Sequence, residues 1–138
     1  MIKVLVVDDS PTARQAIAAI LNSAPGMQVV GAAADGLEAV ALAARLKPDV
    51  ITMDINMPGM DGHQATQQIM AQTPTAIVVV TTVTRQELVH RGLDILLAGA
   101  LDIVQKPSSL TSQSLDAIRS ELIAKVESAA QVKFAARE

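Results

Sequence analysis

Five side chains in this sequence can do chemistry together only if the fold brings them to one place. Asp8 and Asp9 follow the apolar run Val4-Leu5-Val6-Val7, Asp54 follows Val50-Ile51-Thr52-Met53, Thr81 follows Ala76-Ile77-Val78-Val79-Val80, and Lys106 stands just beyond Leu101 to Val104. Singly, an aspartate after a strand is commonly a cap or turn residue, a threonine there an ordinary β-branched one, and a lysine a solvated charge. Independent structural uses would scatter such groups, yet each stands at the same end of its run. Three carboxylates in one pocket repel, and at neutral pH some must take up protons unless a cation sits among them. With oxygen ligands and no His or Cys nearby, Mg2+ fits best, because it accepts one or two carboxylates, keeps several waters and binds phosphoryl oxygens. Asp54 could then attack phosphorus to form an acyl phosphate, with Lys106 giving a point charge and Thr81 a hydroxyl donor to the phosphoryl oxygens.

The elements that must position these groups alternate in period. The β-branched runs Ile2 to Val7, Gln28 to Ala33, Asp49 to Met53, Ala76 to Val80 and Leu101 to Val104 are short and nearly all apolar, as strands covered on both faces are. Between them lie helical signals. Ser10-Pro11-Thr12 offers an N-cap with proline in the first turn, ahead of Ala13, Ile17 and Leu21. Gly36 to Arg45 is rich in alanine and leucine and runs out at Lys47-Pro48, and Asp61 to Ala71 carries Ile69 and Met70 and ends before Pro74. Leu115, Ile118, Leu122 and Val126 form one stripe in the last long segment. Five strand-then-helix units, a doubly wound (βα)5 chain of the α/β class with a parallel sheet, are expected, with ligands at the carboxyl ends of the strands.

Composition narrows the functional classes. A chain of 138 residues fits one domain, and 50% hydrophobic against 18% charged residues marks it as globular. A net charge of -3 with scattered lysines and arginines gives no electrostatic footprint for nucleic acid or an anionic membrane. No cysteine is present, which removes a disulfide framework and a thiol nucleophile and points to the cytoplasm. The first apolar run is cut off by Asp8-Asp9, so neither a signal-peptide core nor a membrane span is expected. A flavin binder of similar architecture would need a hydroxyl-rich phosphate loop after the first strand and rings to stack on the flavin. Asp8-Asp9 stand there instead, and the chain has no Trp or Tyr. Gly-x-Gly-x-x-Gly and P-loop motifs are absent, as is the Asp-x-Asp after the first strand expected of a phosphatase with an aspartyl-phosphate intermediate.

"KVLVVDDS", "VITMDINMPGMDG", "AIVVVTT" and "GALDIVQKP" together resemble the receiver domain of bacterial two-component response regulators over almost the whole chain. The resemblance implies a flavodoxin-like sheet in the order 2-1-3-4-5. It implies Asp54 as the phospho-acceptor from a histidine kinase, Asp8 and Asp9 as the acidic pair for Mg2+ (Asp9 directly, Asp8 through water), and the Asn56 backbone carbonyl as a further ligand. Thr81 corresponds to the switch hydroxyl and Lys106 to the family's lysine, whose bond to Pro107 is cis in the family. "VVVTTVT", "LLAGALDIVQKP" and "ELIAKVESAA" are more specifically similar to the receiver of the chemotaxis methylesterase. That likeness implies a chemotaxis-type kinase as partner and the regulatory domain of a protein-glutamate methylesterase as parent. The receiver would catalyse its own phosphotransfer and dephosphorylation, whereas a hydrolase would lie elsewhere, since no Gly-x-Ser-x-Gly elbow is present. Residues 1–124 are expected to form the receiver, and 125–138 a helix extension or the start of a linker to an output domain. A stand-alone single-domain regulator and a phosphorylation-independent docking receiver are the alternatives.

Two departures from the family pattern stand out. The usual aromatic switch residue, three before the lysine, is Ile103, so only the threonine half of the switch is implied. Val83 has no polar group to position an attacking water and Asn56 has only an amide, so slow to moderate self-dephosphorylation is expected. Leu88, Val89, Leu93, Ile95, Leu96 and Leu97 are apolar over more than one helical stripe. The family's output face, around its fourth helix, fifth strand and fifth helix, would then use Leu93 or Leu97 to dock a partner. His63 and His90 are isolated, Met53, Met57 and Met60 suit gaps in the core, and Phe134 lies in the tail.

Overall fold

The computed structural model describes residues 1–57, 59–82, 99–107 and 112–132. The elements in chain order are β1 (Ile2–Val7), α1 (Pro11–Ser23), β2 (Met27–Ala33), α2 (Gly36–Leu46), β3 (Val50–Met53), α3 (Gly62–Gln72), β4 (Ala76–Thr81), β5 (Asp102–Gln105) and a C-terminal helix (Ser112–Ala130). The strands form one parallel sheet in the order β2-β1-β3-β4-β5. It is the flavodoxin-like order, with the reversal between β1 and β3.

Alternation along each strand divides the core in two. Leu5, Val7, Ile51, Met53, Ile77 and Val79 face α2 and α3, where Ala39, Ala43, Ala65 and Ile69 close over them. Val4, Val6, Val50, Val78, Val80 and Val104 face α1 and the C-terminal helix, meeting Ile17, Leu21, Leu122 and Val126. Met53 and Met57 are buried in the first core and Met60 packs against it. Truncating a fully buried residue such as Leu5 or Leu21 to alanine costs about 2–5 kcal/mol.

The helices begin and end on local chemistry. Ser10 Oγ accepts the Ala13 N–H at 3.2 Å, and Asp35 Oδ1 accepts that of Glu38 at 2.8 Å. Asp61 and Gln64 form a reciprocal capping box. Such caps contribute about 1 kcal/mol each. Lys47 stops α2 in the left-handed region, with φ 49°, ahead of Pro48. The boundaries differ from the sequence-based expectation by one or two residues. β5 begins at Asp102 rather than Leu101, which is 36% exposed with its N–H bonded to Ile77 O at 2.8 Å.

The C-terminal helix crosses position 124 without a break, and Val126 and Ala129 beyond it are buried in the second core. Lys125 fastens it to β5, donating to Ile103 O at 2.8 Å and pairing with Asp102 at 3.3 Å. Val83, Leu88, Val89, His90, Leu93, Ile95, Leu96, Leu97 and Phe134 lie outside the described residues. Among the described residues no helix is long and apolar enough to cross a membrane.

Candidate acidic site

The sheet sets the site at the carboxyl ends of β1, β3, β4 and β5. Three backbone bonds continue the ladders one rung past the strands, from Asp8 N to Ala33 O (3.0 Å), Asp54 N to Val7 O (3.0 Å) and Lys106 N to Thr81 O (2.9 Å). These bonds fix the Cα atoms of the functional residues to the sheet itself, leaving little for a flexible loop to decide.

Asp8, Asp54 and Thr81 are buried, whereas Asp9 and Asn56 are exposed. Lys106 reaches across from β5, its ammonium 2.7 Å from Asp8 Oδ2 and 3.4 Å from Asp54 Oδ2, with its side chain only 8% exposed. Thr81 Oγ1 donates to Asp54 Oδ1 at 2.9 Å, and the Asn56 N–H donates to the same oxygen at 3.1 Å. The Asn56 side-chain amide lies across the mouth, donating to Thr82 O at 3.3 Å with Thr81 Oγ1 3.5 Å away.

Asp8 is held on every side. Its Oδ1 accepts the Ser10 N–H at 2.9 Å, its Oδ2 accepts Lys106, and its backbone carbonyl accepts Arg14 Nη1 at 2.8 Å. Burial raises its carboxyl above the ordinary carboxylate range; the bonds from Lys106 and the Ser10 N–H counter this in part, while the charge of Asp54 adds to the rise. One ammonium among three carboxylates leaves two negative charges uncompensated when all are ionised. Carboxylate oxygens of Asp8, Asp9 and Asp54 all lie within 4.8 Å of one another, a donor set that fits a hard divalent cation with oxygen ligands.

The structure therefore brings together Asp8, Asp9, Asp54, Asn56, Thr81 and Lys106. One implied detail is corrected. No peptide bond among the described residues is cis, so Lys106–Pro107 is trans, the isomer that X–Pro bonds favour by about 0.5–1 kcal/mol. Ile103 is half-buried against the first core, and His63 sits on α3. Arg14 was not singled out from the sequence. The available signal was its place one turn into α1, where side chains slant back toward the helix N-terminus and so toward the end of β1.

Comparison with known proteins agrees with this geometry. Residues 4–119 match the family model described as response regulator receiver domain. The chain is 43% identical over 136 residues to protein-glutamate methylesterase/protein-glutamine glutaminase 4 of Myxococcus xanthus, covering 99% of this chain and 38% of that protein. It is 53% identical over 107 residues to a corresponding protein of Anaeromyxobacter dehalogenans, covering 78% and 31%. It thus spans well under half the length of these curated relatives. Among solved structures, the response regulator domain of Thermotoga maritima CheB superposes with a TM-score of 0.88 at 42% identity, covering 96% of this chain and 98% of that one. A chain from a CheX–CheY–BeF3–Mg2+ complex of Borrelia burgdorferi superposes with a TM-score of 0.76 at 30% identity, covering 96% and 90%.

Proposed function

This chain belongs to the response regulator receiver domain family, and from that premise we propose that Asp54 accepts a phosphoryl group from a histidine kinase in a Mg2+-dependent reaction. The observation that carries the reading is Lys106 spanning Asp8 and Asp54 while Thr81 donates to Asp54. Lysine, hydroxyl and carboxylate converge on the one buried aspartate at the end of β3. In the reading, an Asp54 oxygen attacks phosphorus and the new P–O bond forms as the P–N bond to the donor imidazole breaks; the ring, already protonated on its other nitrogen, takes the P–N electron pair and departs as neutral imidazole.

Asp9, Asp54 and the Asn56 carbonyl would hold Mg2+, with Asp8 acting through water. Asp8 has no exposed surface and its Oδ2 is held by Lys106 at 2.7 Å, whereas Asp9 is exposed, which supports the indirect role of Asp8. When bound, Mg2+ would neutralise charge that gathers on the transferring group. That the related Borrelia complex contains BeF3 and Mg2+ supports a metal-dependent acceptor here.

Phosphorylation converts one Asp54 oxygen into the bridging oxygen of an acyl phosphate, a mixed anhydride, and adds negative charge beside Lys106. Thr81 then has a phosphoryl oxygen to donate to in place of Asp54 Oδ1, and the carboxyl end of β4 is biased with it. A partner that prefers one arrangement reads the state. The methylesterase relatives support a chemotaxis-type kinase and, as output, the methylesterase part of a longer protein in the cytoplasm. The docking face would comprise the segment with Leu93 and Leu97, β5 and the C-terminal helix, with 1–124 as the receiver and 125–138 beginning as an extension of that helix packed on the second core.

The test is intact mass after incubation with acetyl phosphate, with and without Mg2+, for wild type and Asp54→Asn. One added phosphoryl group that requires both Mg2+ and Asp54 is the expected result. Equal addition to Asp54→Asn would overturn the assignment.

A further inference from the structure

The first residue of α3, Gly62, lies directly against the backbone of the acceptor. Its N–H donates to Ile55 O at 3.2 Å. A Cβ built there would overlap the Asp54 carbonyl oxygen and sit 2.6 Å from Ile55 Cα and 2.9 Å from the Asp54 carbonyl carbon. These are closer than nonbonded atoms tolerate, and all are backbone atoms, so no side chain can swing away. We infer that Gly62 is a positioning residue for the acceptor loop: its missing side chain lets α3 seat against residues 54–55 and so sets where the Asp54 carboxylate and the Asn56 carbonyl lie. The inference rests on the metal-dependent acceptor reading.

Neither side of the contact has slack elsewhere. Asp54 N is bonded to β1 through Val7 O at 3.0 Å, and Ile55 is buried in the first core. On the other side, α3 is pinned by its capping box and by Ala65 and Ile69 in that core. An added methyl must therefore displace the short segment that carries the acceptor. Mg2+ demands near-ideal octahedral geometry at about 2.0–2.1 Å, so a shift of a few tenths of an ångström is felt at the metal before the fold is lost.

Gly59, in the same loop, is an internal control. It has φ 71° but open space around its Cβ position, so Gly59→Ala strains the loop without pushing on Asp54. The 138-residue wild type, Gly62→Ala and Gly59→Ala are titrated with Mn2+ as a probe, following free Mn2+ by electron paramagnetic resonance beside thermal melts. The expected result is at least tenfold weaker binding for Gly62→Ala and less than a twofold change for Gly59→Ala at comparable loss of Tm. Wild-type affinity in Gly62→Ala, or affinities that track Tm in both variants, would overturn the inference. Absence of Mn2+ binding to the wild type would overturn the metal-dependent reading first, and this inference with it.

Should Gly62→Ala not fold, hydrogen exchange of the wild-type Gly62 amide decides. Saturating Mg2+ is expected to slow it at least fivefold while leaving the Gly26 amide unchanged. Equal exchange with and without Mg2+ would overturn the inference.

Discussion

Asp8 and Asp49 both flank strands of the same sheet, at opposite edges, and they do opposite things. Asp49 is exposed, accepts the Lys3 N–H at 2.8 Å through Oδ2, and returns its own N–H to Lys3 O at 2.8 Å. It closes the amino edge of the sheet without electrostatic conflict. Asp8 has no exposed surface, sits beside two other carboxylates, and has its pKa raised by burial. The same residue type thus serves as structural closure at one edge and as part of a charged pocket at the other. Clustering and burial distinguish them, and both are properties of the sheet rather than of the local sequence.

The largest effect that sharpens this contrast is expected at Lys106. Lys106→Ala removes a charge-assisted bond worth about 1.5–3 kcal/mol, so phosphorylation by acetyl phosphate should slow by about tenfold to a hundredfold. Phosphorylation time courses check this, and a rate within twofold of wild type would break the account of the pocket. No comparable loss is expected from Lys3→Ala at the other edge.

Stability against pH gives the next effect. A carboxyl whose folded pKa is raised contributes stability that is fully present below its unfolded value of 3.8 and is lost as pH rises through the folded value. Asp8→Asn should therefore melt higher than wild type at pH 7 without metal, and the difference should shrink as pH falls into the carboxylate range. Saturating Mg2+ should reverse the order by stabilising the wild type more. Asp49→Asn, whose amide oxygen can still accept from Lys3, should stay within about 0.5 kcal/mol of wild type at either pH. Melting curves of the three proteins at several pH values test both halves.

A smaller effect concerns Thr52, whose buried Oγ1 has no hydrogen-bond partner among the described residues. Thr52→Val should be neutral or stabilising by up to about 1 kcal/mol with phosphorylation unchanged. Destabilisation beyond that in urea unfolding would show that the hydroxyl is satisfied.

Legibility in the sequence followed the range of the signal. The strands, the cap at Ser10, and the acidic, hydroxyl and lysine groups could be read because each stands at a local change of pattern. The Asn56 amide reaching Thr82 O and the contact under Gly62 could not. Those depend on how separate segments approach in space, and no local periodicity encodes such an approach. The trans Lys106–Pro107 bond differs from the expectation because that expectation came from family resemblance, with no local signal for either isomer.

The most direct test of the central claim is to mix the protein with a phosphorylated histidine kinase and Mg2+, quench with sodium borohydride, and map peptides by mass. Borohydride reduces an acyl phosphate to an alcohol and so marks the acceptor as homoserine. Homoserine is expected at position 54 and only when Mg2+ is present. Homoserine at position 8 or 9, or transfer that leaves position 54 unmodified, would contradict it.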